Sequence, residues 1–199
     1  MTQIIRFKLV LRMTDVFLGV VLFFFMILPY PVSAHDAEWP GEKLEKMYPD
    51  AQSYEQRNLY ISSQQRQNIE GKLGEPIQEE DLKPSLYFAV VKLTPDSKPQ
   101  KAAVMIFMDA HGQEGVIEIG LRMSSKGVLE KIEIFNKDTQ SDLISGPDFI
   151  NQFQGKTHIQ SFKVGVDITA PKGLEKSGQA IATATLRGML IINELFSRK

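Results

Sequence analysis

Ser177-Gly178, followed by Gln179, Ala180 and, one turn on, Thr183, stands at the head of a strongly periodic C-terminal segment. A helix opening at Gly178 with Ser177 as its N-cap would leave its first amides without carbonyl partners and turn the positive end of its dipole outward. Such a start holds an anion, and a residue with no Cβ lets a phosphate approach the backbone closely. A plain N-cap uses the same residues and is the alternative on this feature alone. The other groups capable of chemistry are sparse. His35, His111 and His158 are far apart and lack ligand spacing. His35, as the first residue of a trimmed chain, would offer its amine and ring to copper, since imidazole suits that metal. Glu79-Glu80-Asp81 is a carboxylate run in a polar loop, where solvation is the default. No serine sits in a nucleophile elbow and no Ser/His/Asp arrangement is visible, so hydrolase chemistry has no support. The chain has no cysteine, which excludes thiolate metal sites, iron–sulfur clusters, covalent c-type haem and disulfides.

The elements that must position the Ser-Gly corner follow from patterning. A short helix is expected over Glu42 to Tyr48, ended by Pro49, and a weak strand over Tyr54 to Ile61. Ser62 with Gln65 has capping-box spacing before a polar surface helix that stops at Gly74. Apolar runs at Leu86 to Val91 and Ala102 to Met108 predict two strands joined across Thr94 to Gln100. Ile117, Ile119, Leu121 and Met123 alternate with Val116, Glu118, Gly120 and Arg122, and a Ser124 to Gly127 turn leads to Val128 to Phe135. Period-two patterning of this kind predicts a meander with one wet face. Phe149 to Phe153 reads as a short helix stopped by Gly155, and Phe162 to Val166 as a returning strand. Asp167 to Lys176 is a loop, after which Gly178 to about Phe196 forms a long helix with Ile181, Ala184, Gly188, Ile191 and Leu195 on its apolar face. The fold class expected is α+β: an antiparallel β-meander sheet packed by a long C-terminal helix and shorter helices.

The N-terminus predicts export. Arg6, Lys8 and Arg12 precede an apolar core of 13 residues, Val16 to Leu28, followed by Pro29, Pro31 and Val32-Ser33-Ala34. That is the order of a secretory signal, and the core is short of the ~20 residues a spanning helix needs. Residues 1–34 are therefore expected to be a signal peptide and 35–199 a single domain, placed in the periplasm or another extracytoplasmic space. If the signal is uncleaved, it is the chain's membrane attachment. Trimming leaves 20 basic against 23 acidic residues, a net charge of −3, with no basic stripe to favour nucleic acid.

Several short motifs recur in a known order. Met47-Tyr48-Pro49-Asp50-Ala51 comes first, then Ile106-Phe107-Met108-Asp109 and the Lys126-Gly127 turn in the meander. Gln152-Phe153-Gln154-Gly155-Lys156-Thr157, Asp167-Ile168 and Ser177-Gly178 follow. Over residues 44 to 196 the chain resembles the FMN-binding domain family, the flavin-carrying subunits of Rnf-type and sodium-pumping quinone reductase complexes and their small exported relatives. The resemblance implies FMN, with Ser177, Gly178, Gln179, Ala180, Thr183 and Asp167 as cofactor-binding residues, and membrane or periplasmic redox proteins as partners. It departs from the family at the attachment site. The family's Ser-Gly-Ala-Thr reads Ser177-Gly178-Gln179-Ala180 here, and Ala180 has no hydroxyl to esterify. Asp167 is set off from Ser177 by the Thr169 to Lys176 loop, and the family's Glu-Thr contact has only Asp138-Thr139 as a substitute. Non-covalent FMN and extracytoplasmic electron transfer are thus expected, by an electron carrier or accessory protein more than a stand-alone enzyme. The alternatives are a flavin-free structural or interaction protein on the same fold beside a membrane redox complex, and copper handling through His35.

Overall fold

Alternation of apolar residues along the middle of the chain builds five strands: β1 (Ser53–Asn58), β2 (Ser85–Val91), β3 (Gln100–His111), β4 (Val116–Ser124) and β5 (Leu129–Ile134). The computed structural model describes residues 40–135 and 142–196. The expected signal segment, His35 and Asp138-Thr139 lie outside the described residues. The strands form one sheet in the order β1-β2-β3-β4-β5, every neighbour antiparallel, so the expected meander is present. Around it lie the helices α1 (Gly41–Met47), α2 (Ser63–Leu73), α3 (Asp142–Ser145), α4 (Pro147–Ile150) and α5 (Glu175–Phe196). The protein is α+β, with the sheet packed against the long C-terminal helix.

The main core lies between sheet and α5. Ile106 and Met108 of β3, Leu121 and Met123 of β4, and Ile132 and Ile134 of β5 are buried with Ile181, Ala184, Leu190 and Ile191. Gly188 makes the close approach possible. A Cβ there would stand 2.6 Å from Leu121 Cδ1 and 3.1 Å from Met108 Cγ, so helix and sheet meet where only a hydrogen fits.

One wet face was the expectation for the sheet, and it needs correction at β2 and β3. Tyr87, Ala89 and Met105 are buried on the second face beneath Leu44 and Met47 of α1. A helix of seven residues does not persist alone in water. Burial of Leu44 and Met47 contributes roughly 3–6 kcal/mol, an upper estimate, and is what holds α1 in place.

α2 forms as its caps dictate. Ser62 Oγ accepts the Gln65 amide at 3.3 Å, Gln65 Oε1 accepts the Ser62 amide at 3.0 Å, and Gly74 ends the helix at φ +81°. Gln65 and Asn68 then reach Glu194 of α5, at 2.8 Å to its carbonyl and 3.1 Å to its carboxylate. The expected strand over Phe162 to Val166 is absent. Val164 makes only an isolated bridge to Ile168, because the Asp167 carboxylate accepts the Lys163 amide at 2.9 Å and Gly165, at φ +83°, turns the chain back.

Within α5, Thr185 is fully buried and its hydroxyl has no hydrogen-bond partner among the described residues. An unsatisfied buried hydroxyl costs about 1–3 kcal/mol, while threonine and valine have similar helix propensity and shape. Thr185→Val is therefore expected to raise the unfolding free energy by about 1 kcal/mol in urea denaturation. A loss of stability would mean that the hydroxyl is satisfied in solution.

Candidate functional site

The helix that carries the Ser-Gly pair begins earlier than its sequence pattern implies. α5 starts at Glu175, so Ser177 is its third residue and not its N-cap. The Gly178 amide donates to Leu174 O at 2.8 Å, and the amides of Gln179 and Ala180 lie deeper in the same i to i−4 ladder. The free amides of this terminus belong to Glu175, Lys176 and Ser177. There an anion is already built in. Glu175 Oε1 accepts the Gly173 amide at 3.0 Å, and hydrogen bonds from the backbone of Gly173 and of Glu175 itself hold its carboxyl below the usual range.

Each residue predicted to hold the cofactor is committed inside the protein. Ser177 is buried, and its Oγ accepts the Gln113 amide at 3.0 Å, fastening the β3–β4 turn to the helix. Gly178 is buried with Ala170 over it; a Cβ on Gly178 would stand 2.7 Å from the Cβ of Ala170 and 3.5 Å from the Phe149 ring. Gln179 Oε1 accepts the Val164 amide at 2.9 Å, and its Nε2 donates to Phe162 O at 3.1 Å and to Thr183 Oγ1 at 3.2 Å. Ala180 packs against the main core. Glycine at 178 thus admits the preceding loop, where the sequence pattern had it admitting a phosphate.

Gln152 holds that loop down. Its Oε1 accepts the Thr169 amide at 2.7 Å, and its Nε2 donates to Thr169 O and to Asp148 O at 3.0 Å each. Outside the loop is a recess of about 610 Å3 lined by Asp142, Asp148, Phe149, Gln152, Thr169 and Ala170 among others, with no lysine or arginine among the described residues of its lining. Two carboxylates without a cation repel a phosphate.

Asp167 does meet a resemblance motif. Its Oδ2 accepts the Lys156 ammonium at 3.1 Å and its Oδ1 the Lys163 amide, joining the turn to Gln154-Gly155-Lys156. Burial pushes the Asp167 carboxyl up, but the Lys163 amide and the Lys156 ammonium outweigh it and hold the carboxyl below its ordinary value. A depressed folded pKa means stability that is present above the unfolded value of about 3.9 and lost as pH falls through the folded one. The stability gap between the wild type and Asp167→Asn is therefore expected to be constant above about pH 5 and to shrink as pH falls below about 4, measured by urea denaturation. A gap that persists at low pH would remove the ion pair as its cause.

The Met47 to Ala51 and Gln154-Gly155 motifs also converge, on a second recess of about 610 Å3. Arg122 stands in its wall, a residue whose only sequence signal was its place in strand alternation. Its guanidinium donates to Met47 O at 2.6 Å, lies 3.2 Å from Glu130 Oε2 and sits 5.1 Å over the Tyr48 ring. That cation is neutralised by its neighbours, and its contacts tie α1 to β4 and β5. Among the described residues no three histidine, aspartate or glutamate side chains group as a metal site.

A five-strand antiparallel meander packed on one long helix is the class to which this fold belongs. No family model matches the chain, and no curated protein matches it.

Proposed function

We propose that this chain is an exported protein on the FMN-binding-domain fold that works without flavin, as a structural or interaction protein beside a membrane redox complex. The export signal and the ordered motifs support the compartment and the fold family. The flavin-free part rests on one observation: the Gly178 amide is spent on Leu174 O, and Ala170 fills the space over Gly178. Non-covalent FMN needed free amides from Gly178 to Ala180, and an ester needed a hydroxyl at Ala180. The residues present fit neither.

The test is an FMN titration of the full chain, purified after export, followed by flavin fluorescence and by gel filtration with FMN. The expected result is a colourless protein that gives no saturable quenching up to about 100 µM FMN, a binding free energy weaker than about −5.5 kcal/mol. A yellow protein, or one-to-one binding in the micromolar range, overturns the flavin-free reading and restores the electron carrier.

A further inference from the structure

We propose that the groove at the carboxyl end of α5 binds a single-chain amphiphile with an anionic head, a long-chain carboxylate. The groove holds about 420 Å3 between the last turns of the helix and the open end of the sheet. That is within the ~300–1,000 Å3 typical of small-ligand sites, which combine a mostly apolar lining with a few placed polar groups. Its apolar walls include Phe88, Met123, Ile192 and Phe196, and its cations among the described residues are Lys101 and Lys126.

Three features argue for this occupant. Phe196 is 44 % exposed although its ring meets Phe88 edge-on at 5.8 Å, so a large aromatic wall is left half in water beside an apolar floor. The β2–β3 register shifts after Ala89, and Lys101, an exposed residue, lies with its ammonium 4.5 Å over the Phe88 ring at the groove. Lys126 is held at the rim by its turn, where the Ser124 hydroxyl accepts the amides of Lys126 and Val128, both at 3.3 Å. Its ammonium has no ion-pair partner among the described residues, whereas Lys101 shares Glu55 at 2.9 Å. One free cation and one half-neutralised cation at the mouth of an apolar trough match a single carboxylate head with its tail inside.

The test uses the full exported chain and laurate below its micellar concentration, by calorimetry. Saturable one-to-one binding is expected, weakened about tenfold or more by Lys126→Glu, which swaps the charge-assisted contact for a repulsion. Phe196→Ala is expected to weaken it comparably, and dodecanol, with the tail but no charge, to bind more weakly than laurate. Both substitutions are at exposed positions, and circular dichroism checks that the fold persists. No saturable binding overturns the proposal, as does binding indifferent to Lys126→Glu. Co-sedimentation with phosphatidylglycerol vesicles by a protein that ignores monomeric laurate overturns it in favour of a membrane surface. A concentration-dependent dimer that ignores laurate overturns it in favour of a second copy.

Discussion

Asp81→Ala is expected to lower the unfolding free energy by about 3–5 kcal/mol, because it strands a buried guanidinium. Arg187 and Asp81 have side chains only 5 % and 6 % exposed, with Nε and Oδ2 2.7 Å apart in a charge contact that lacks a hydrogen bond's alignment. Arg187 also donates to Asp109 O at 2.7 Å, so one side chain ties α5, the end of β3 and the helical turn Glu80–Leu82 together. Removing Asp81 takes away the carboxylate paired with Arg187 and leaves the neutral Asp109 carbonyl and Gln78 side chain to offset the desolvation of its charge. In a domain whose whole stability is of order 5–15 kcal/mol, that loss is a large fraction, worth a fall in Tm of roughly 6–20 °C. The double variant Asp81→Leu, Arg187→Met should recover most of it, since apolar groups of similar size commonly replace a buried pair at little cost. Urea denaturation of the single and double variants decides the matter. A single variant within about 1 kcal/mol of wild type would show that water already reaches the pair.

Phe149→Ala is expected to cost a comparable ~3–5 kcal/mol, the usual range for emptying a phenylalanine from a core. The ring is 1 % exposed, meets Phe153 edge-on at 5.2 Å and closes the space beside Gly178. Its loss opens a cavity under the very corner where an anion was expected. Added FMN should nonetheless leave the Tm of this variant unchanged. A ligand stabilises only through the native state it binds, and enlarging the space frees none of the amides from Gly178 to Ala180. Differential scanning fluorimetry with and without FMN reads this directly. An FMN-dependent rise in Tm for Phe149→Ala alone would identify the aromatic wedge, and not the helix's own hydrogen bonding, as what keeps flavin out.

The meander was legible residue by residue because a strand half-buried on one face repeats every two residues. Ile117, Ile119, Leu121 and Met123 are all buried as their alternation implies. The capping box at Ser62 and Gln65 was equally local, needing only four residues to recognise. The buried Arg187 was not. The helical period sets it beside the apolar stripe, three residues after Ala184 and four before Ile191, but nothing local names its partner Asp81, which is more than a hundred residues away in what reads as a solvated acidic run.

Local order along the chain determined the α+β class, the strand pairing by short turns, the long terminal helix and the missing hydroxyl at Ala180. Tertiary structure alone decided what the Ser-Gly corner does. Whether a helix starts at residue 175 or 178, and whether a glycine faces a ligand or a neighbouring loop, depends on where Ala170 and Gln152 come to rest, and no spacing within the helix encodes that. The free amides of a helix start are an anion site only while they stay unspent. In this chain the Glu175 carboxylate takes its own backbone amide and that of Gly173, the Gly178 amide is spent on the Leu174 carbonyl, and Ala170 of the packed loop covers Gly178.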